Sequence, residues 1–334
     1  MRKVLITGAT GFIGSHLLAR NLKDGNRVRI FALPDDSKAK EHEGHGLEVF
    51  YGDIRDYQAV GKAVNGVQVV FHLAAVVTDW APKELFKQVN IDGMRNICQA
   101  SFRSRVERFI EVSTNDVFGL KEGVVIDETF DFSYWREPYP DTKLEATKIA
   151  WEFCQKGLPV SMVYPCWVYG PGDLTFVPLI ADAVKKGEMI FWRKDVIVWP
   201  AYVENVVDLL IVISEHPLAV GHSFLVHDGQ CDTFQNFSSR IAEAIGAKKP
   251  KLHIPFWTAY SVACTMELIW KALGKKSRPL LTRYAVKNLG SRLQFTIKKA
   301  RELLDWNPPV SYEEGFRRTM EWLTQTDPEL WKQK

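Results

Sequence analysis

The chain has 334 residues, 46% of them apolar and 25% charged, an ordinary globular balance that excludes a disordered, collagen-like or coiled-coil chain. Lys and Arg number 43 against 40 Asp and Glu, and the net charge of +3 is too weak to point to a nucleic-acid partner. Five scattered cysteines without a CxxC pair argue for free thiols, against a disulfide framework or a zinc site.

Residues 4–7 read as a strand that runs into glycines, without the pattern of a signal peptide, so a cytoplasmic location is expected. Residues 13–22 read as a helix, 28–33 and 48–51 as strands, and 58–64 as a helix. The near-continuous apolar run 67–73 reads as a strand buried on both faces. A long helix is predicted over 84–103, a strand over 108–113, a helix over 139–156 and a strand over 160–164. Strands alternating with helices give right-handed crossovers and a parallel sheet. The predicted fold class is therefore α/β, a doubly wound Rossmann sheet over 1–165. After Pro165 the chain turns dense in glycine and proline and rich in aromatics, so 166–334 is read as a smaller α+β substrate domain. Parts of 203–232, a helix over 203–214 and a strand over 223–226, are candidates to pack back on the first domain. Residues 255–273 form an apolar stretch broken by Glu267 and Lys271, too charged to span a bilayer. It reads as an amphipathic helix, with a buried face or one for a membrane surface. Residues 298–304 and 312–324 read as helices.

Gly8-Ala9-Thr10-Gly11-Phe12-Ile13-Gly14 stands between the first strand and the first helix, with GxxGxxG spacing. Gly8 permits a tight turn, Gly11 lets a diphosphate approach the backbone, and Gly14 lets helix and strand pack closely. The amides that open the helix, around Thr10, Phe12 and Ile13, then face the anion. After the third strand come Asp53 and Ile54, where a carboxylate can accept the adenine amino group. His72-Leu73-Ala74-Ala75 ends the fourth strand with small residues beside the cofactor, and His72 itself reads as a satisfied structural histidine. The second strand ends without an arginine and is followed by Asp35 and Asp36, which favours NAD over NADP, with NADP left open and Asp35 taken as the ribose ligand. His42-Glu43-Gly44-His45 is not the HExxH spacing, and no metal is expected.

Tyr139-Pro140-Asp141-Thr142-Lys143 opens a helix and puts Tyr139 and Lys143 on one face. A nearby ammonium and a positive nicotinamide both favour the phenolate, lowering the phenol from its usual pKa of about 10. Such a tyrosine can exchange a proton with a substrate hydroxyl. At the end of the preceding strand, Thr114 is the chosen hydroxyl partner and Ser113 the fallback.

With Gly8, Gly11 and Gly14, Asp53, the His72–Ala75 run, Val89-Asn90-Ile91-Asp92-Gly93 with Asn96, Thr114, Tyr139 with Lys143, and Val168-Tyr169-Gly170-Pro171-Gly172-Asp173, the chain resembles the extended short-chain dehydrogenase/reductases. The resemblance implies an NAD(P) domain, a smaller substrate domain and the catalytic set Thr114, Tyr139 and Lys143. It further implies that Asn90 lies by the cofactor, that Lys143 holds the nicotinamide ribose and that Pro165 opens the segment passing the nicotinamide. Val76, Asn115, Asp116, Trp167, Val168 and Trp199 are expected against the substrate. A homodimer is expected through the helices over 84–103 and 139–156.

Dehydratases of that group carry Asp-Glu after the catalytic Thr; this chain has Asn115-Asp116, and an amide cannot serve as the acid. Sugar-nucleotide members often bring an Arg to the diphosphate where this chain reads Val198-Trp199-Pro200, although Arg193 or Lys194 could substitute. The run Arg278-Pro279-Leu280-Leu281-Thr282-Arg283-Tyr284 is similar to one in bacterial 3β-hydroxysteroid dehydrogenase-like proteins. The expected function is thus oxidoreduction between a secondary alcohol and a ketone on an apolar small molecule such as a sterol, a 3-oxoacyl compound or a natural-product intermediate. The alternative is a sugar-nucleotide epimerase that oxidises and re-reduces transiently.

Overall fold

The computed structural model describes residues 1–44 and 47–331, and at its centre seven strands form one sheet. They are β1 (Lys3–Thr7), β2 (Arg27–Ala32), β3 (Glu48–Tyr51), β4 (Val69–His72), β5 (Arg108–Val112), β6 (Val160–Pro165) and β7 (Ser223–Val226). Every pairing is parallel, in the order β3-β2-β1-β4-β5-β6-β7. In chain order the main helices are α1 (Phe12–Lys23), α2 (Tyr57–Val64), α3 (Gly93–Arg103), α4 (Pro138–Gln155), α5 (Val177–Lys186), α6 (Val203–Glu215), α7 (Phe234–Ala244), α8 (Phe256–Ala272), α9 (Arg283–Asn288), α10 (Lys298–Leu304) and α11 (Tyr312–Gln325).

Side chains alternate across the sheet with a period of two. Leu5 of β1 points into one apolar layer, shared with α2, α3 and α4. Val4 and Ile6 point into the other, shared with α1, α6 and α10. The chain leaves the sheet after β6 and returns, so that β7 lies beside β6 with Phe224 opposite Val163. A third core, around Tyr169, Phe237 and Phe316, joins α5, α7 and α11.

Two expectations need correction. The helix predicted over 84–103 is in three pieces: a turn at Lys83–Phe86, a wider-wound π stretch at Lys87–Asp92, and α3. Wide turns of this kind gather at functional sites, and this one carries buried Asn90, whose side chain bonds both the backbone N–H and the C=O of Val76. Helices α5, α7 and α9 were not anticipated, because each is short and bounded by glycine, proline or aromatic residues that blur the 3.6-residue period. Of the His42–His45 run, His45 lies outside the described residues.

Crossovers from β1 and from β4 leave in opposite directions along the sheet, which opens a crevice at the carboxyl ends of those two strands. The loop after β1 closes tightly onto α1. A Cβ on Gly14 would stand 2.0 Å from the carbonyl oxygen of Gly8, a backbone atom that cannot swing away. Gly14→Ala is therefore expected to lower stability by about 1–3 kcal/mol, read as a drop in Tm, and to weaken dinucleotide binding measured by calorimetry.

Candidate active site

Gly8 turns the chain out of β1 with φ 69°, and a Cβ there would stand 2.9 Å from the backbone of Leu73 and Ala74. Gly11 ends the loop, and its amide donates to the Gly8 carbonyl at 3.1 Å. The N-terminus of α1 carries no side-chain cap and no acidic residue in its first turn. The amides of Phe12, Ile13 and Gly14 and the helix dipole thus stand ready for an anion. The Thr10 hydroxyl donates to Asp36 at 2.7 Å, and the same carboxylate caps the turn at Ser37–Lys40. Asp36 therefore ties down the loop, while Asp35 beside it is exposed.

Asp53, after β3, is gripped by Arg55 at 2.6–3.0 Å, which holds its carboxyl below the usual range. Ile54 is buried, and its side chain lies against Gly93 at the start of α3. After β4, the Thr7 hydroxyl accepts the amides of Leu73 and Ala74 at 3.2 Å and bonds His72 Nδ1 at 2.8 Å. Burial, with the Lys143 charge adding, pushes His72 down to about 3, so its ring is neutral; with the Thr7 oxygen already accepting two amides, its hydroxyl donates a hydrogen bond to Nδ1. Ala75 is half-buried at the same edge. A glycine surface, an uncapped helix end and small residues opposite it fit the diphosphate of a dinucleotide.

The next edge of the crevice lies at the ends of β5 and β6. The Thr114 hydroxyl stands near enough to the Tyr139 phenol to favour its ionised form, and it accepts the backbone N–H of Asp116 at 3.2 Å. Ser113 faces away, bonded to Thr147 of α4 at 2.7 Å, so Thr114 is the hydroxyl at the phenol. Two prolines in the first turn of α4, Pro138 and Pro140, suit its unpaired amides. Asp141 accepts the amides of Trp135 and Arg136 and fixes the approach to that turn. One helical turn beyond Tyr139, the buried Lys143 ammonium donates to Glu111 at 2.7 Å and to the Val112 carbonyl at 2.9 Å. Pro165 ends β6, buried opposite Val226.

The expected acidification of the phenol draws on both the ammonium and a positive nicotinamide; the chain's own groups do not supply it. Burial and the Asp116 charge push Tyr139 up, against the pull of the Thr114 hydrogen bond. Burial pushes Asp116 up to about 6, opposed by a 2.6 Å hydrogen bond from Tyr284. Glu111 is also pushed up by burial, against the Lys143 charge, and its Oε2 has no hydrogen-bond partner among the described residues.

The expected substrate residues divide. Val76 is half-buried at the Asn90 loop, and Asn115 and Asp116 are buried next to Thr114. Trp167 and Val168 pack into the aromatic core of the second unit, Trp167 with its ring 4.9 Å from Phe176. Trp199 covers His227 at 4.5 Å, and its indole N–H donates to the Leu293 carbonyl. Residues that the sequence reading missed also meet here. Glu111 had a signal, since it is a carboxylate inside an apolar strand. Tyr284 of α9 closes the Arg278–Tyr284 run but had no role assigned from it, and Lys287 had no signal; Tyr284 reaches Asp116, and Lys287 bonds Glu137 at 2.7 Å beside the start of α4.

The model of the NAD-dependent epimerase/dehydratase family matches residues 4–226. The chain is 29% identical to the sterol-4-alpha-carboxylate 3-dehydrogenase (decarboxylating) of Mus musculus, over 96% of this chain and 90% of that protein. It is 28% identical to the 2-alkyl-3-oxoalkanoate reductase of Stenotrophomonas maltophilia, over 95% of this chain and 98% of that one. The UDP-glucose 4-epimerase of Thermotoga maritima, solved with UDP-glucose, has the same fold, with a TM-score of 0.76 at 23% identity over 97% and 99% of the two chains. The cradle at the end of β1 and the family match thus agree: the chain belongs to the NAD-dependent epimerase/dehydratase family and is an NAD-dependent enzyme of the extended short-chain dehydrogenase/reductase type.

Proposed function

We propose that the protein interconverts a secondary alcohol and a ketone on an apolar substrate, with Tyr139 as the proton-transfer group. The observation that carries this reading is the placing of Tyr139 beside the Thr114 hydroxyl and one helical turn from the buried ammonium of Lys143. The amides of Phe12, Ile13 and Gly14 would hold the diphosphate of NAD, with Leu73, Ala74 and Ala75 along its other side. Asp35 and Asp53 would take the adenosine end, and Asn90, Lys143 and Pro165 the nicotinamide end. Bound NAD supplies the hydride acceptor and a positive charge near the phenol. Tyr139 takes the alcohol proton as the hydride leaves the carbinol carbon, Thr114 donates a hydrogen bond to the reacting oxygen, and Lys143 lends its charge.

Ion pairing favours an apolar substrate over a sugar nucleotide. Arg193, which could have gripped a diphosphate, is held by Glu122 at 2.6 Å and by the Gly290 carbonyl at 3.0 Å. Arg278 is held by Asp79 and Arg283 by Glu267. A phosphate would have to displace a carboxylate from each of these cations. The relatives named for a sterol carboxylate and for a 2-alkyl-3-oxoalkanoate point the same way.

Tyr139→Phe is expected to leave NAD affinity nearly intact and to lower turnover at least ~100-fold; equal turnover sinks the assignment. A screen of NAD reduction is expected to answer to sterols or 2-alkyl-3-hydroxyalkanoates and not to UDP-sugars. Epimerised UDP-sugar with no net NADH would replace this reading by the epimerase one.

Asp116 sets the pH dependence. Its charge opposes the phenolate, so Asp116→Asn is expected to move the ascending limb of the kcat/KM profile for alcohol oxidation to lower pH. A folded-state value of about 6 against an ordinary 3.8 means that the folded chain keeps the proton longer than the unfolded one. Stability from this group is therefore full below the ordinary value and is lost as pH rises towards about 6. The Asn variant is expected to melt higher than the parent at neutral pH, with the gap closing near pH 4.

A further inference from the structure

Helix α8 presents an apolar face with no charged residue at its centre. Its inward stripe is Ala259, Ala263 and Glu267, four residues apart and all buried. Glu267, the one carboxylate of the helix, is turned inwards, where it accepts the backbone N–H and the guanidinium of Arg283. The outward arc holds Trp257, Val262, Leu268 and Ile269 among small uncharged residues, with Lys271 at its flank. Trp257 is 74% exposed and Leu268 67%. Leu273 just past the helix and Leu280 in the following loop extend the patch, at 62% and 74%. Single exposed apolar residues are common, but a contiguous patch on one helix marks a docking surface.

We propose that this face is a docking surface for an anionic lipid bilayer, on which α8 lies flat. Charge around the patch identifies the occupant. Residues 248–278 hold seven cations; Lys249 pairs with Glu243, Lys271 with Glu267 and Arg278 with Asp79, which leaves Lys248 and Lys251 before the helix and Lys275 and Lys276 after it. The whole chain carries only +3, so the excess positive charge is gathered at the two ends of this helix. Apolar side chains flanked by lysines match the layering of a membrane surface, with acyl chains under the helix and anionic headgroups at the amines.

Other occupants fit less well. Seventeen residues make a helix of about 26 Å, short of a ~30 Å hydrocarbon core. Among the described residues no helix is long and apolar enough to cross a membrane. A second copy docking by two-fold symmetry would oppose the cationic cluster to itself.

The docked face adjoins the reaction site. Arg278 and Thr282 both bond Asp79, in the loop that follows β4 and the cradle residues Leu73–Ala75. Exposed Val77 lies two residues before Asp79, and exposed Leu280 two residues after Arg278. Four residues beyond Leu280, Tyr284 bonds Asp116. A lipophilic alcohol dissolved in the bilayer would meet the rim of the cleft directly. That consequence rests on the proposed apolar substrate; the docking does not.

Sedimentation with sucrose-loaded vesicles tests the surface without any substrate. Wild type is expected to pellet with equimolar phosphatidylglycerol and phosphatidylcholine at low salt and less at high salt. Leu268→Glu with Ile269→Glu is expected to lower the bound fraction about tenfold. Lys275→Glu with Lys276→Glu is expected to abolish the preference over phosphatidylcholine alone. All four side chains are exposed and none is among the residues that would hold NAD, so NAD affinity by calorimetry is expected to be unchanged. Amide exchange over 256–282 in the wild type is expected to slow when vesicles are added. A wild type that stays in the supernatant, or an apolar-face variant that pellets like its parent, overturns the proposal. So does a wild-type dimer that ignores vesicles and becomes monomeric in the Leu268→Glu/Ile269→Glu variant, since a second copy then covers the face.

Discussion

The pairing of Lys143 with Glu111 sets the geometry on which the site depends. Both groups are buried, one on α4 and the other on the central strand β5. A lone charge at that depth is destabilising by several kcal/mol, and deleting one partner of such a pair costs about 3–5 kcal/mol. The ion pair therefore fixes where α4 sits along β5. It places Lys143 below the crevice and Tyr139 one turn away, within reach of the Thr114 hydroxyl. The same pairing limits the lysine. Burial first, then the Asp116 charge and least the Glu111 charge keep the phenol of the unliganded chain above its ordinary pKa. If Tyr139 is the proton-transfer group proposed above, its full activation would wait for the positive charge that arrives with NAD. This coupling suits an enzyme that must not expose a strong base to water before its cofactor is in place.

The first unit was legible because its signals are local. Apolar runs bounded by glycines gave six strands to within two residues at either end. β7 followed from the same reasoning, although its neighbour β6 lies some sixty residues earlier. The glycine loop was readable because Gly8 and Gly14 answer to close backbone approaches that no other residue allows. What stayed hidden is long-range. Tyr284 meets Asp116 across 168 residues, and Lys287 meets Glu137 across 150. No spacing or period encodes such meetings; they follow from how the second unit folds over the first. The π stretch was hidden for a related reason: no helix-breaking residue marks it, and its Asn90 bonds Val76 in a distant loop. Trp167 and Trp199 are drawn into packing and a satisfied indole N–H, as large aromatics usually are.

The second unit closes the site through three side-chain contacts, each reaching a different part of the first. Arg278 and Thr282 fasten Asp79 after β4, Tyr284 fastens Asp116 after β5, and Lys287 fastens Glu137 at the start of α4. Each contact spends a polar group that could otherwise have faced a ligand. What remains around Tyr139 is mainly aromatic: Tyr284 stands edge-on to it at 6.1 Å, with Trp135 packed behind at 5.5 Å. Such a lining strengthens the electrostatics of the few polar groups left, because little water competes with them. It also selects the ligand. A diphosphate would need a cation released from its carboxylate, an exchange of one charge-assisted bond for another with the carboxylate left to be resolvated. An apolar ring or chain makes no such demand, and it gains by leaving water. On the proposed reading the closing contacts serve both catalysis and specificity: they dry the phenol's surroundings, and they commit Arg278 and Lys287 to carboxylates.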